Sequence, residues 1–124
     1  MIQKEKQLLL VDLYARLPYN VKVNYNDLEG ADYTLSVKLL SQFPKEKLKP
    51  YLRPMSSMTE EELKEFAYTI LQQPDLDAVR NWQTLSIDLK ELTKVLDWLN
   101  KKHFDYRGLI SMGLALEAPQ DMYC

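Results

Sequence analysis

The sequence predicts an α+β domain: a small antiparallel sheet, made of a hairpin plus a candidate third strand, packed by three to four helices. Three observations carry that expectation. Apolar residues recur at helical spacing over 2–17, 63–71 and 92–99. They alternate with polar residues over 21–25 and 33–39. Capping motifs mark helix starts at Thr59 and Asp88. With 124 residues, 46% of them hydrophobic, the chain can bury one core, so residues 1–124 read as a single domain with 118–124 as a tail.

In the first helix Leu9 or Leu10, Leu13, Tyr14 and Leu17 define the inner face. Leu8 and Val11 widen it, which implies burial on more than one side. Pro18 ends the helix, because the residue before a proline is pushed out of helical backbone angles. Next, Val21, Val23 and Tyr25 alternate with Asn20, Lys22 and Asn24. Turn-forming residues fill 26–30, and Tyr33, Leu35, Val37 and Leu39 then alternate with Thr34, Ser36 and Lys38, completing a hairpin with a long connection. Pro44 is placed to start a helical turn over 45–48. The stretch 50–54 is bracketed by Pro50 and Pro54 and is not expected to form a regular central element, since each proline lacks a donor and restricts its predecessor.

Thr59 and Glu62 form a capping box, with Met58 and Leu63 as a hydrophobic staple. The helix it starts carries one apolar stripe of Leu63, Phe66, Ala67, Ile70 and Leu71. Residues 74–81 read as a connection and 82–87 as the candidate third strand. Asp88 with Glu91 starts another helix, with Ile87 and Leu92 as its staple and Leu92, Val95, Leu96 and Leu99 facing inward. Lys101, Lys102 and His103 fall in its last turn, where positive charge suits the helix dipole. Asp105 is placed to cap a short final helix over 106–115, which Gly108 and Gly113 weaken.

Composition limits the chemistry. Sixteen basic and 18 acidic residues give a net charge of −2, which argues against a strongly basic nucleic-acid module. One His and one Cys cannot make a zinc set or an intrachain disulfide, and Cys124 suits a reducing compartment. The N-terminus lacks the apolar run of a signal peptide, and no stretch approaches the ~20 apolar residues of a membrane span. A cytoplasmic protein without a membrane partner is therefore expected. Glu60, Glu61 and Glu62 suit a helix start, while Asp75 and Asp77 lack calcium-loop spacing, so no metal or cofactor is expected. No serine stands in a glycine-flanked elbow and no glycine-rich phosphate loop is present. His103 and Asp105, as acid and base, are what an enzyme would have to use, and enzyme is the minority reading.

Two segments concentrate candidate binding residues. Tyr51 and Arg53 lie in the proline-bracketed stretch, and His103, Asp105, Tyr106 and Arg107 lie together at 103–108. Either segment could be a recognition surface or a packed junction. For 103–108 the junction is favoured, with His103 ending one helix, Asp105 capping the next and Phe104 filling the core. The leading function is a small non-catalytic protein-interaction or adaptor module for an unidentified protein partner. The alternative is weak nucleic-acid binding through Lys45, Lys47, Lys49, Tyr51 and Arg53. Homodimerisation through the hairpin edge is left open by the sequence.

Phrases spread along the chain also carry a resemblance: LPYNVKV at 17–23, KPYLRPMSSMTEEE at 49–62, DWLN at 97–100, HFDYRGLI at 103–110 and GLALEAP at 113–119. This series resembles a family of short uncharacterised proteins of gut anaerobic bacteria and of their phages and mobile elements. Residues between Gln72 and Leu85 fall outside it. The family has no assigned activity, cofactor or catalytic residue. The resemblance therefore implies only an intracellular setting and a role in phage or mobile-element biology.

Overall fold

The computed structural model describes residues 2–25, 32–72, 76 and 88–123. Helix α1 spans Gln3–Arg16 and buries Leu9, Asp12, Leu13 and Arg16. Those positions form one stripe at helical spacing. Val11 and Tyr14 remain more than half exposed, so the two-sided burial expected from the wide apolar face is not realised. The stripe instead includes an acid and a base four residues apart, whose side chains meet on the same face.

Pro18 sits in a 3-10 turn over Leu17–Tyr19, and Asn20 takes a left-handed conformation (φ 58°) that turns the chain into strand β1, Lys22–Tyr25. Strand β2, Asp32–Thr34, pairs with it antiparallel, with Lys22 opposite Thr34. The hairpin is present, but its second strand stops at Thr34 rather than Leu39. The Ser36 hydroxyl accepts the Leu39 amide and starts helix α2, Val37–Gln42, which buries the adjacent pair Leu39 and Leu40 and leaves Val37 exposed. A local cap and a helical apolar pair outweigh the alternating pattern.

A 3-10 turn follows Pro44, as expected, over Lys45–Lys47. Strand β3, Leu48–Leu52, then overturns the expectation for 50–54, because this segment is a central strand. Its register explains how Pro50 is accommodated. The Leu35 amide donates to Val21 O, which directs the main-chain groups of Val21, and by alternation of Val23, toward β2. Pro50 stands opposite Val23, where β1 and β3 exchange no hydrogen bond. The absent N–H therefore faces the other edge of β3, where pairing begins only at Tyr51.

That other edge is occupied by β4, Leu116–Glu117, which runs parallel to β3. The sheet order is β2-β1-β3-β4, so the sheet is mixed rather than wholly antiparallel. Residues 118–123 are not a loose tail, since the Ala118 amide donates to Leu52 O and Tyr123 packs against the core. The candidate third strand at 82–87 lies outside the described residues.

Helix α3, Glu60–Glu65, starts with both halves of the expected capping box and continues as a wider π turn over Phe66–Leu71. Gln72, left-handed at φ 55°, ends it. Helix α4, Leu89–Lys101, starts where the Asp88 carboxylate accepts the Glu91 amide, and it buries Val95, Trp98, Leu99 and Asn100. Trp98 lies between Phe66 and Phe104, with ring centroids 4.9 and 5.8 Å away. This aromatic stack anchors the core of α3 and α4, while Leu9, Leu13, Val21, Val23, Leu48 and Leu52 fill the core on the sheet side. The final helix over 106–115 does not form. Asp105 caps the Leu109 and Ile110 amides, but Gly108 and Gly113 take positive φ and convert the segment into successive turns that bury Leu109 and Leu114. Among the described residues no helix is long and apolar enough to cross a membrane.

Candidate functional site

Helix α4 ends in a Schellman pattern: the Phe104 amide donates to Leu99 O (2.9 Å) and the His103 amide to Asn100 O (3.1 Å). His103 thereby takes the left-handed position usually given to glycine, at φ 65°. The reversal lays residues 103–105 alongside β3. The Arg53 amide donates to His103 O and the Asp105 amide to Arg53 O, both at 2.8 Å. Both candidate segments are thus brought together, and their backbones pair.

Beyond this junction the side chains of 105–107 turn inward. Both oxygens of Asp105 accept main-chain amides, from Leu109 and Ile110. The Arg107 guanidinium donates to Asp12 Oδ1 (2.8 Å) and to the Tyr106 hydroxyl (2.9 Å), which itself donates to Asn100 Oδ1. Asp12 Oδ2 accepts from Arg16 Nε at 2.9 Å, and both of those side chains have no solvent exposure. Arg16 also donates to Phe104 O at 2.7 Å. One buried carboxylate therefore holds two guanidinium groups and fastens α1 to the 104–107 segment.

A gap on the β1 side of β3 is closed by Tyr123. β1 pairs as far as Pro50, and residues 103–105 take over at Arg53. At Tyr51, between them, the Tyr123 hydroxyl donates to Tyr51 O (2.7 Å) and accepts the Lys22 amide (2.9 Å). A side-chain oxygen thus replaces the direct ladder bond between Lys22 and Tyr51. The Tyr123 ring stacks on His103 at 3.8 Å. Burial pushes the Tyr123 phenol up to about 12. Burial first, then the Arg16 and Arg53 guanidinium groups, push His103 down to about 4. His103 is therefore a neutral ring at ordinary pH, rather than the helix-end cation its position suggested. Its Nδ1 and Arg16 Nη1 are buried without hydrogen-bond partners.

Arg53 lies over the Phe104 ring at 4.3 Å and grips Glu62 with both terminal nitrogens, at 2.8 and 2.6 Å. That interaction chiefly holds the Glu62 carboxyl below its usual range. The Tyr51 hydroxyl donates to Asp32 Oδ1. Of the basic residues, Lys45 and Lys47 sit in the turn, Lys49 lies on the strand that follows it, and Arg53 is paired with Glu62. Nor do His103 and Asp105 form an acid–base pair, because one packs on Tyr123 and the other caps a turn.

Beside this junction a cleft of about 720 Å³ opens to solvent. One wall is Arg53, Pro54, Ser56, Ser57 and Thr59, with Glu62 behind, and the other is residues 117–120 with Tyr123. His103, Asp105, Tyr106 and Arg107 are not among its lining residues. Sequence reading missed Asp12, Arg16 and Tyr123. The first two had a signal, the four-residue spacing that aligns them with Leu9 and Leu13. No family model, curated protein or solved structure matches the chain.

Asp12→Ala leaves two guanidinium groups, one fully buried, without their shared carboxylate. It is expected to cost about 3–5 kcal/mol in urea unfolding. Tyr123→Phe keeps the ring stack and removes only the bridging hydroxyl. The expected cost is about 1–3 kcal/mol, with faster hydrogen exchange at the Lys22 amide.

His103 gives a signed pH dependence. Its folded pKa of about 4 lies below the ordinary 6.5, so the unfolded chain binds more protons between those values. The stability it contributes is fully present above pH 6.5 and is lost as pH falls toward 4, by roughly 2–3 kcal/mol. Asparagine tolerates left-handed angles, so His103→Asn should have a smaller loss of stability between pH 7 and 4.5 than wild type. Equal losses in the two proteins would refute the assignment.

Proposed function

We propose that the chain is a small non-catalytic protein-interaction module that receives its partner in the cleft between residues 53–59 and 117–120. The supporting observation is how the polar side chains are engaged. Asp105, Tyr106, Arg107 and Arg53 are bound within the fold, and His103 is stacked beneath Tyr123. A general acid or base must exchange protons near the working pH and reach its substrate. His103 is tuned far from neutrality and does not line the cleft. The cleft, in contrast, exposes Ser56 and Glu117 to solvent. A cytoplasmic setting and a role in phage or mobile-element biology belong to the same proposal, on the single-cysteine composition and the family resemblance.

Arg53 and Arg107 are poor probes of this proposal, because each is part of an ion pair that holds the fold. Ser56→Trp combined with Glu117→Arg fills and recharges the cleft while altering only exposed side chains. In affinity capture from the native host, this double variant should lose a partner that wild type retains. A control variant at exposed Val37 on α2, Val37→Ser, should keep it. Identical partner sets from all three proteins, each confirmed folded by circular dichroism, would rule the cleft out as the docking surface.

A further inference from the structure

Residues 118–123 lie over the body of the domain as a strap. The strap is tied at its start, where the Ala118 amide donates to Leu52 O, and it then turns, with the Met122 amide donating to Pro119 O. Pro119, Gln120 and Asp121 in that turn are exposed. At its far end the Tyr123 hydroxyl fills the gap between Lys22 and Tyr51. The Tyr123 ring covers the His103 ring at 3.8 Å, 19° from parallel.

His103 is poorly placed to become a cation beneath that cover. The charged groups facing it are the Arg16 guanidinium from α1 and the Arg53 guanidinium from β3, while the strap presents the neutral Tyr123 ring. The carboxylates of the same cluster are engaged elsewhere. Asp12 holds Arg16 and Arg107, Glu62 holds Arg53, and Asp105 accepts two main-chain amides. Once both ring nitrogens carry protons, the buried Nδ1 becomes a donor with no acceptor. A protonated ring therefore needs water, and its neighbours differ in how they give way. Its own backbone is fixed, since the His103 amide donates to Asn100 O and His103 O accepts the Arg53 amide. Arg16 is held in the core by Asp12 and Phe104 O. Tyr123 is held through one hydroxyl at the end of an exposed turn. We infer that residues 118–123 form an acid-released strap: protonation of His103 expels the Tyr123 ring and frees the strap, while the helices and the rest of the sheet stay in place.

Release exposes the Lys22 amide and the Tyr51 carbonyl, and it removes the part of the cleft wall that Pro119, Gln120 and Tyr123 supply. The cleft is thus reshaped by acid whether or not it receives a partner, so the inference stands apart from the interaction-module reading. Opening returns the ring from a pKa of about 4 to its ordinary 6.5, and the open fraction therefore grows as pH falls through that interval.

The Lys22 amide reports the opening directly, because its acceptor is the Tyr123 hydroxyl. Hydrogen exchange of the full chain is followed by NMR at low urea concentrations, with the intrinsic exchange rate divided out. Between pH 7 and 5, above the range in which ordinary carboxylates titrate, the opening constant at Lys22 should rise about 20-fold. That rise should be insensitive to urea, whereas exchange of the Leu99 amide in the buried face of α4 should depend steeply on it. In His103→Asn the Lys22 opening constant should not rise over the same interval. No rise in wild type overturns the inference. So does a rise that shares the urea dependence of Leu99, which would mean that the whole domain opens, or a rise that persists in His103→Asn. The two wild-type outcomes decide the matter even if the variant fails to fold.

Discussion

Asp12 is the charge on which the rest of the molecule is arranged. It lies fully buried on α1, between Arg16 on its own helix and Arg107 from a distant part of the chain. A lone buried carboxylate costs several kcal/mol in lost hydration, and two guanidinium groups with hydrogen-bonding geometry offset that cost. The arrangement leaves one excess positive charge nearby, and its effects reach outward. Arg16 holds the Phe104 carbonyl, which fixes the turn after α4, and its charge helps keep the His103 ring neutral. With that ring neutral, an aromatic stack on Tyr123 is compatible with burial.

The sheet shows the same dependence on distant parts of the chain. Along a single edge, β3 meets β1, then a phenolic hydroxyl, then residues 103–105. Three separate stretches of sequence satisfy successive main-chain groups, so β3 is central although it contains a proline. The hydroxyl sits where β1 and the 103–105 segment part from each other, a place that neither can fill. The cleft lies next to this junction because Arg53 and Tyr123, which build the junction, also form part of its walls.

Features governed by neighbours in sequence are legible in the sequence itself. Thr59 and Asp88 cap the helices that follow them, since a cap depends on a hydroxyl or carboxylate and an amide three residues on. The stripe of α3 is likewise visible in its spacing. Pro50 misleads because the edge its nitrogen faces is set by register with Val23, which no local pattern encodes. Asp12 and Arg16 fall on the Leu9 and Leu13 face by their spacing, but the partner at position 107 that makes their burial tolerable has no local signature. The junction at 103–108 is readable, since Asp105 has a capping role and Phe104 is core. Leu109–Ala115 departs from the expected helix because two glycines at positive φ dictate turns where propensity allows a helix. The cleft has no local signature, because its walls come from segments more than fifty residues apart that meet only through β3 and β4.

The Tyr123 hydroxyl also sets an order of events during synthesis. Its partner Lys22 is 101 positions earlier, and the Arg107 contact to Asp12 spans 95. Helices α1, α3 and α4 hold their own main-chain bonds and can begin to form as they emerge. The edge of β3 cannot be completed until Tyr123 is free to cross it. Contacts at such separation carry the full entropy of closing a long loop, and that cost is met late. A nascent chain with Tyr123 still inside the ribosome would display an unfinished sheet edge, with the Lys22 amide and the Tyr51 carbonyl both exposed. The edge of β3 at Tyr51 is then closed only after Tyr123 has emerged.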